Sequence, residues 1–168
     1  MVETALPALA PSPAELDRKL HALRALPARC RAAVRGLTEA QLDEPLRKGG
    51  WSPRQVVHHV ANAHMHALLR MKFVLHEQHP TLKPWDQDTW EVGEDERRGS
   101  VEPSLSILDG VHARMADLLA RVKPSDWGRT AFHPENGIIT LRQLLDTYEG
   151  HGAHHVEQVE ALRRAKGW

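Results

Sequence analysis

Two histidines four residues apart are the clearest chemical feature of this 168-residue sequence. His151 and His155 lie in "YEGHGAHHVEQV", within a segment whose apolar residues recur every three or four positions. Both imidazoles therefore fall on the apolar face of a helix, one turn apart. Side chains at this spacing can reach one metal ion, and neutral imidazole is a ligand for zinc and other transition metals. The alternative is a pair of core histidines satisfied by hydrogen bonds.

A third histidine lies on an earlier helical segment, "WSPRQVVHHVANAHMHALLRMKFVL". His59 shares the apolar face of Val56 and Val60, so its side chain should point inward. His58 is about 100° away around the helix and should point toward an edge. Three imidazoles from two facing helices leave coordination positions open for water or substrate, which is typical of catalytic rather than structural metal sites.

Four further residues are candidates for supporting the metal ligands or for lining a pocket: Gln55, Asn62, His133 and His154. His133 lies in the turn "FHPEN" and His154 is about 100° from His155 on the helix. None of these residues stands out as a general base. His21 and His112 are interpreted as solvated helix positions. His64 is a candidate for lining a pocket, but a partly exposed position is favoured for it.

Four long helical segments should position these residues. Capping patterns at Ser12, Ser52 and Thr140 predict three helix starts, and Pro103 opens another. Pro27 predicts a break or a kink in the first segment, just before that residue. A short extended pair is expected across the turn at 134–137, and residues 77–103 form a long connection with two tryptophans. The sequence predicts an all-α protein, an antiparallel four-helix bundle with one long crossover loop.

Composition restricts the function. The chain has 22 basic and 22 acidic residues and 5% aromatic residues, so neither net charge nor stacking surface favours nucleic-acid binding. Cys30 is the single cysteine, and no stretch approaches the roughly 18 apolar residues of a membrane span. We expect one cytoplasmic domain over residues 1–168, with residues 1–11 flexible, that contacts neither nucleic acid nor membrane.

Four blocks in this order resemble the DinB/YfiT-like family: "GGWSPRQVVHHVANAHMH", "TLKPWDQDTW", "AFHPENGIITLRQLL" and "YEGHGAHH". The resemblance covers most of the chain from about Leu16 onward. It implies a four-helix-bundle metalloprotein that holds zinc or nickel through His59, His151 and His155, with waters completing the coordination shell. It also implies a homodimer. One departure is Gly150, where relatives are expected to carry a bulky aromatic residue; a continuous helix is favoured there over a kink.

The same resemblance leaves the reaction open. Members of the family are often labelled metal-dependent hydrolases, and the YfiT branch includes bacillithiol S-transferases. A three-histidine site with one divalent metal per subunit suits either hydrolysis of a small molecule or transfer of a low-molecular-weight thiol cosubstrate. The alternative is a non-catalytic, stress-related metal-binding dimer, which predicts a closed coordination shell and no adjoining pocket.

Overall fold

The structure, a computed structural model, describes residues 10–168, so most of the segment expected to be flexible (1–11) lies outside it. In chain order the elements are α1 (Pro13–Val34), α2 (Glu39–Leu42), α3 (Pro53–His76), α4 (Gln87–Trp90), α5 (Glu94–Arg98), α6 (Val101–Leu119), β1 (Thr130–His133), β2 (Gly137–Thr140) and α7 (Leu141–Lys166). The four long helices form the predicted bundle. The two strands form the expected antiparallel hairpin, with Phe132 opposite Ile138.

The two helices that carry the candidate ligands begin as their capping residues predict. At Ser52 and at Thr140 the hydroxyl accepts from the backbone N–H three residues later. The side chains of Gln55 and Gln143 accept in return from the backbone N–H of the capping residues. These reciprocal bonds satisfy N–H groups that a helix start leaves without partners, and they fix where α3 and α7 begin.

The break predicted at Pro27 is absent, because α1 continues through it. A proline inside a helix lacks the N–H that would bond to the carbonyl four residues earlier, which here is that of Leu23. The Nδ1 atom of His112 on α6 lies 2.6 Å from the Leu23 carbonyl oxygen and donates to it in place of the missing N–H. A neighbouring helix thus compensates for the proline.

Side-chain contacts fix the directions of the four helices. Lys19 contacts Glu149 and Arg163 contacts the Ala33 carbonyl, so α1 and α7 run in the same direction. Contacts of His58 with Ser104 and of residue 64 with residue 112 show that α3 and α6 are also parallel. Each helix is antiparallel to its other neighbour. The long crossover follows from this arrangement, because residues 77–100 must return along α3 before α6 can start in the same direction.

Helix α7 is continuous through both of its internal glycines, as expected. A Cβ atom at Gly152 would collide with the side chain of Leu26, whereas one at Gly150 would meet open space. Gly152 therefore allows α7 to approach α1 closely beside the two histidines. Between residues 10 and 168, no helix is both long and apolar enough to cross a membrane.

Candidate metal centre

Three histidines converge between α3 and α7, and we call them the histidine triad: His59, His151 and His155. One nitrogen from each ring can be chosen so that all three lie within 4.8 Å of one another. The Nε2 atoms of His59 and His151 are 3.1 Å apart. Three imidazole nitrogens at such separations match the donor set of a three-histidine metal site.

Aromatic side chains hold the ring of His59. The indole of Trp51, just before α3, lies 4.6 Å from the imidazole of His59 between ring centroids. The indole of Trp85, from the crossover, is stacked against the same imidazole at 5.7 Å. The crossover thus packs against the triad, and its Trp85 also stacks on His66 at 5.2 Å.

Each triad histidine also has a partner for its other ring nitrogen. The Nδ1 atom of His59 lies 3.3 Å from Oε1 of Glu91, and that of His155 lies 3.0 Å from Oε1 of Gln158. The Nδ1 atom of His151 lies 3.3 Å from Nε2 of His64. A carboxyl group, an amide and an imidazole therefore occupy the three Nδ1 positions. Such outer partners fix the ring orientation and the tautomer of metal-binding histidines.

Burial keeps the triad uncharged. Removal from water lowers the pKa of His59 to about 4, that of His155 to about 4 and that of His151 to about 3. The neighbouring imidazoles contribute to the low pKa values of His151 and His155, because each disfavours a second positive charge. The three rings are therefore neutral near pH 7, which is the form that binds metal.

Glu91 is the carboxyl group nearest to the triad, and it is fully buried. Burial and, to a smaller extent, the nearby Glu96 raise its pKa to about 8. A metal charge at the triad would favour the ionised form of Glu91. Two predicted supporting residues hold this part of the crossover: Gln55 donates to the Glu91 carbonyl at 2.6 Å, and Asn62 donates to Oε1 of Glu96 at 2.8 Å.

The structure places the other two predicted supporting residues differently. His154 is exposed, and its Nε2 atom lies 3.0 Å from Nε2 of Gln158, the residue that contacts His155. His133 is buried, but it lines a cavity with Arg70 and Tyr148 instead of joining the triad. His154 therefore lies beside the triad, and His133 lies apart from it.

Three histidines expected at an edge or in solvent are buried, and those expectations are wrong. His58 contacts the Ser104 hydroxyl at 2.7 Å, His112 bonds to the Leu23 carbonyl, and His64 is 0% exposed. His21 is exposed, as expected. Helical periodicity failed for His58 and His64 because α3 is covered on several sides, by α6, by α7 and by the crossover. It failed for His112 because α6 packs against both α1 and α3.

A cavity of about 710 Å³ adjoins the triad at His155. Its wall combines apolar side chains with a few polar ones: Leu46, Arg47, Trp51, Asp88, Gln158 and Leu162. The volume is within the range of small-molecule sites. The triad is therefore adjacent to space for a reactant larger than water.

Sequence reasoning missed Glu91, His64 and Gln158 as partners of the triad. Gln158 is three positions after His155, so helical spacing alone could have identified it. Glu91 is 32 residues from His59 and follows a loop, so no local pattern connects the two. His64 was interpreted as a partly exposed position, and its place on α3 does not indicate that it contacts His151 on α7.

Comparison with known proteins shows the family of this chain. A family model described as the DinB superfamily matches residues 22–159. A Geobacillus kaustophilus protein named "Putative metal-dependent hydrolase GK0616" is 44% identical over 156 residues, covering 92% of this chain and 87% of its own length. The Bacillus subtilis protein named "Putative metal-dependent hydrolase YfiT" is 37% identical over 153 residues, covering 90% and 86%.

Solved structures show the same fold. YfiT from Bacillus subtilis, described as a probable metal-dependent hydrolase with an unusual four-helix bundle topology, matches with a TM-score of 0.92 and 35% identity. That match covers 97% of this chain and 94% of the other. TT2238, described as a four-helix bundle protein, matches with a TM-score of 0.61 and 25% identity, over 87% of this chain and 98% of its own.

Proposed function

This chain belongs to the DinB superfamily, and we propose that it is a metal-dependent enzyme whose ion is held by His59, His151 and His155. The observation that carries the proposal is the convergence of three neutral imidazoles, each with its outer nitrogen already partnered. Relatives at 37–44% identity carry names that describe metal-dependent hydrolases. Zinc or nickel fits the donor set, because imidazole suits both ions.

The donor set fits a metal with open coordination positions. Within residues 10–168, the cluster of candidate ligands at this site consists of three histidines. A divalent ion held by three neutral ligands supplies a Lewis acid that can activate water or a thiol. The chain's own residues orient the rings through Glu91, His64 and Gln158, and Trp51 and Trp85 shield His59 from water.

Hydrolysis and thiol transfer are both candidate reactions. The cavity beside His155 is the observation that supports thiol transfer as a candidate. Transfer of a thiol requires two organic reactants beside the metal. The cavity offers about 710 Å³, with an apolar wall at Leu46, Trp51 and Leu162. A non-catalytic module predicts a closed shell without a pocket, and the cavity argues against it. A homodimer and a cytoplasmic location stay predictions.

The test is an activity measurement on metal-loaded protein. Purified protein is loaded with zinc or with nickel and assayed for ester and amide hydrolysis, and for conjugation of bacillithiol or cysteine with an electrophilic bimane dye. We expect metal-dependent turnover in one of the two assays, and no turnover in the chelated protein. Equal activity with and without metal would contradict the proposal.

A further inference from the structure

His64 is a fully buried imidazole with a single hydrogen-bond partner among the described residues. Its Nε2 atom lies 3.3 Å from Nδ1 of His151, while its own Nδ1 atom is buried and has no partner there. Burying a polar group without a hydrogen bond is costly, and an apolar side chain at this position would avoid that cost. The contact with His151 therefore distinguishes His64 from an ordinary core residue.

We propose that His64 is a positioning residue for the metal site: it accepts a hydrogen bond from Nδ1 of His151 and thereby keeps Nε2 of His151 directed at the metal. The inference rests on the proposed function in one respect, namely that His151 is a ligand.

The tautomers agree with this role. A ring nitrogen that binds a metal carries no proton, so a neutral His151 that binds through Nε2 has its proton on Nδ1. That N–H needs an acceptor in the dry interior, and Nε2 of His64 is the acceptor within reach. The proton of His64 is then on its Nδ1 atom. Without His64, the Nδ1–H group of His151 would be a buried donor without a partner, and the other tautomer would block the metal.

Two neighbours fix the ring of His64. The imidazole of His112 is stacked on it, with centroids 4.8 Å apart and an angle of 20° between the planes. The ring of Tyr148 meets it edge-on at 5.6 Å. The His64 ring is thus held by packing on α6 and α7, as the support of a metal ligand requires.

The experiment compares three variants for zinc affinity, by competition with a chelator. His64→Phe keeps the ring and its stacking but removes the acceptor, and we expect zinc binding about 10- to 100-fold weaker than in the wild type. His64→Gln offers an amide oxygen near the same place and should keep most of the affinity. His58→Phe is the matched control, since it changes a buried histidine on the same helix whose nitrogens face Ser104 and the Gly99 carbonyl instead of the triad. Zinc affinity that is equal in His64→Phe and His58→Phe would overturn the proposal.

A second measurement can decide the role of His64 in the wild-type protein alone. Nitrogen-15 NMR of the histidine rings reports which nitrogen carries the proton. In the wild type we expect the proton of His151 on Nδ1 both without and with zinc, and in His64→Phe without zinc we expect a mixture of tautomers. A wild-type proton on Nε2 of His151 would refute the role of His64. A wild type that binds no metal would refute the proposed function, while the metal-free spectra would still decide the role of His64.

Discussion

His58 and His112 are buried nearly as completely as His59, yet their surroundings differ in kind. The Nδ1 atoms of His58 and His112 meet oxygen atoms, those of Ser104 and of the Leu23 carbonyl. In the histidine triad, one nitrogen of each ring faces the other two rings. The first pair lies at contacts of α6 with α3 and α1, and the triad lies between α3 and α7.

This difference teaches that burial does not identify a metal ligand. A buried histidine that donates to a carbonyl replaces a missing backbone bond, as His112 does beside Pro27. Histidines whose nitrogens converge replace no backbone hydrogen bond. Two facing nitrogens of neutral rings can share only one proton, so three converging nitrogens cannot all be satisfied by one another. Convergence is costly without a metal, and it is therefore the feature that indicates one.

The largest effect is expected for the removal of a triad ligand. We expect the zinc affinity of His155→Ala to fall by more than the roughly 100-fold that the loss of an outer partner costs, because two imidazoles hold the ion poorly. The variant should also lose all activity. The half-buried position should leave the helices folded. Elemental analysis and circular dichroism measure both properties.

The matched control for that variant is His58→Ala, which removes a buried histidine outside the triad. It should keep one zinc per chain and lose about 1–3 kcal/mol of unfolding free energy, because the Ser104 hydroxyl loses its partner. Full zinc content in His155→Ala, or zinc loss in His58→Ala, would break the distinction between the two groups.

The second effect is a dependence of stability on pH that arises from His112. Burial lowers its pKa from 6.5 to about 4, so at pH 5 the unfolded chain binds a proton there and the folded chain does not. The unfolding free energy should therefore fall as the pH drops from about 6.5 to about 4, and this group should contribute about 3 kcal/mol. Urea unfolding of metal-free protein at several pH values measures the slope.

His112→Phe sharpens that test. The triad histidines give the metal-free protein a slope of the same sign, because burial lowers the pKa of each of them. The variant should retain this part and lose the part due to His112. Identical slopes for the variant and the wild type would show that His112 does not titrate as its burial implies.

The smallest effect is expected at Glu91, which connects the crossover to the triad. Glu91→Gln keeps an acceptor for Nδ1 of His59 but removes the negative charge, so zinc affinity should fall about tenfold. Calorimetric titration measures the affinity. Glu94→Gln, an exposed acid paired with Arg98 on α5, is the control and should leave the affinity unchanged. Equal zinc affinities in the two variants would show that Glu91 does not support the metal site.

Much of the fold followed from neighbours in the sequence. Ser52 and Thr140 marked the starts of α3 and α7 because capping involves residues only three positions apart. His59, His151 and His155 were selected by helical spacing, which also acts within one or two turns. The break predicted at Pro27 is absent, because the donor that compensates for the proline comes from His112, 85 positions later in the chain.

By itself, the sequence determined four helices, the capped starts of α1, α3 and α7 and the faces on which three imidazoles lie, since these properties depend on contacts within a few residues. It placed the start of α6 at Pro103, two residues after Val101, where the helix begins. Tertiary structure alone decided that α3 and α6 run parallel, that the crossover returns along α3, and that Glu91 and His64 reach two triad histidines on α3 and α7. The physical reason is distance along the chain: these partners are 32 and 87 residues from their histidines, and only the packing of helices brings them together.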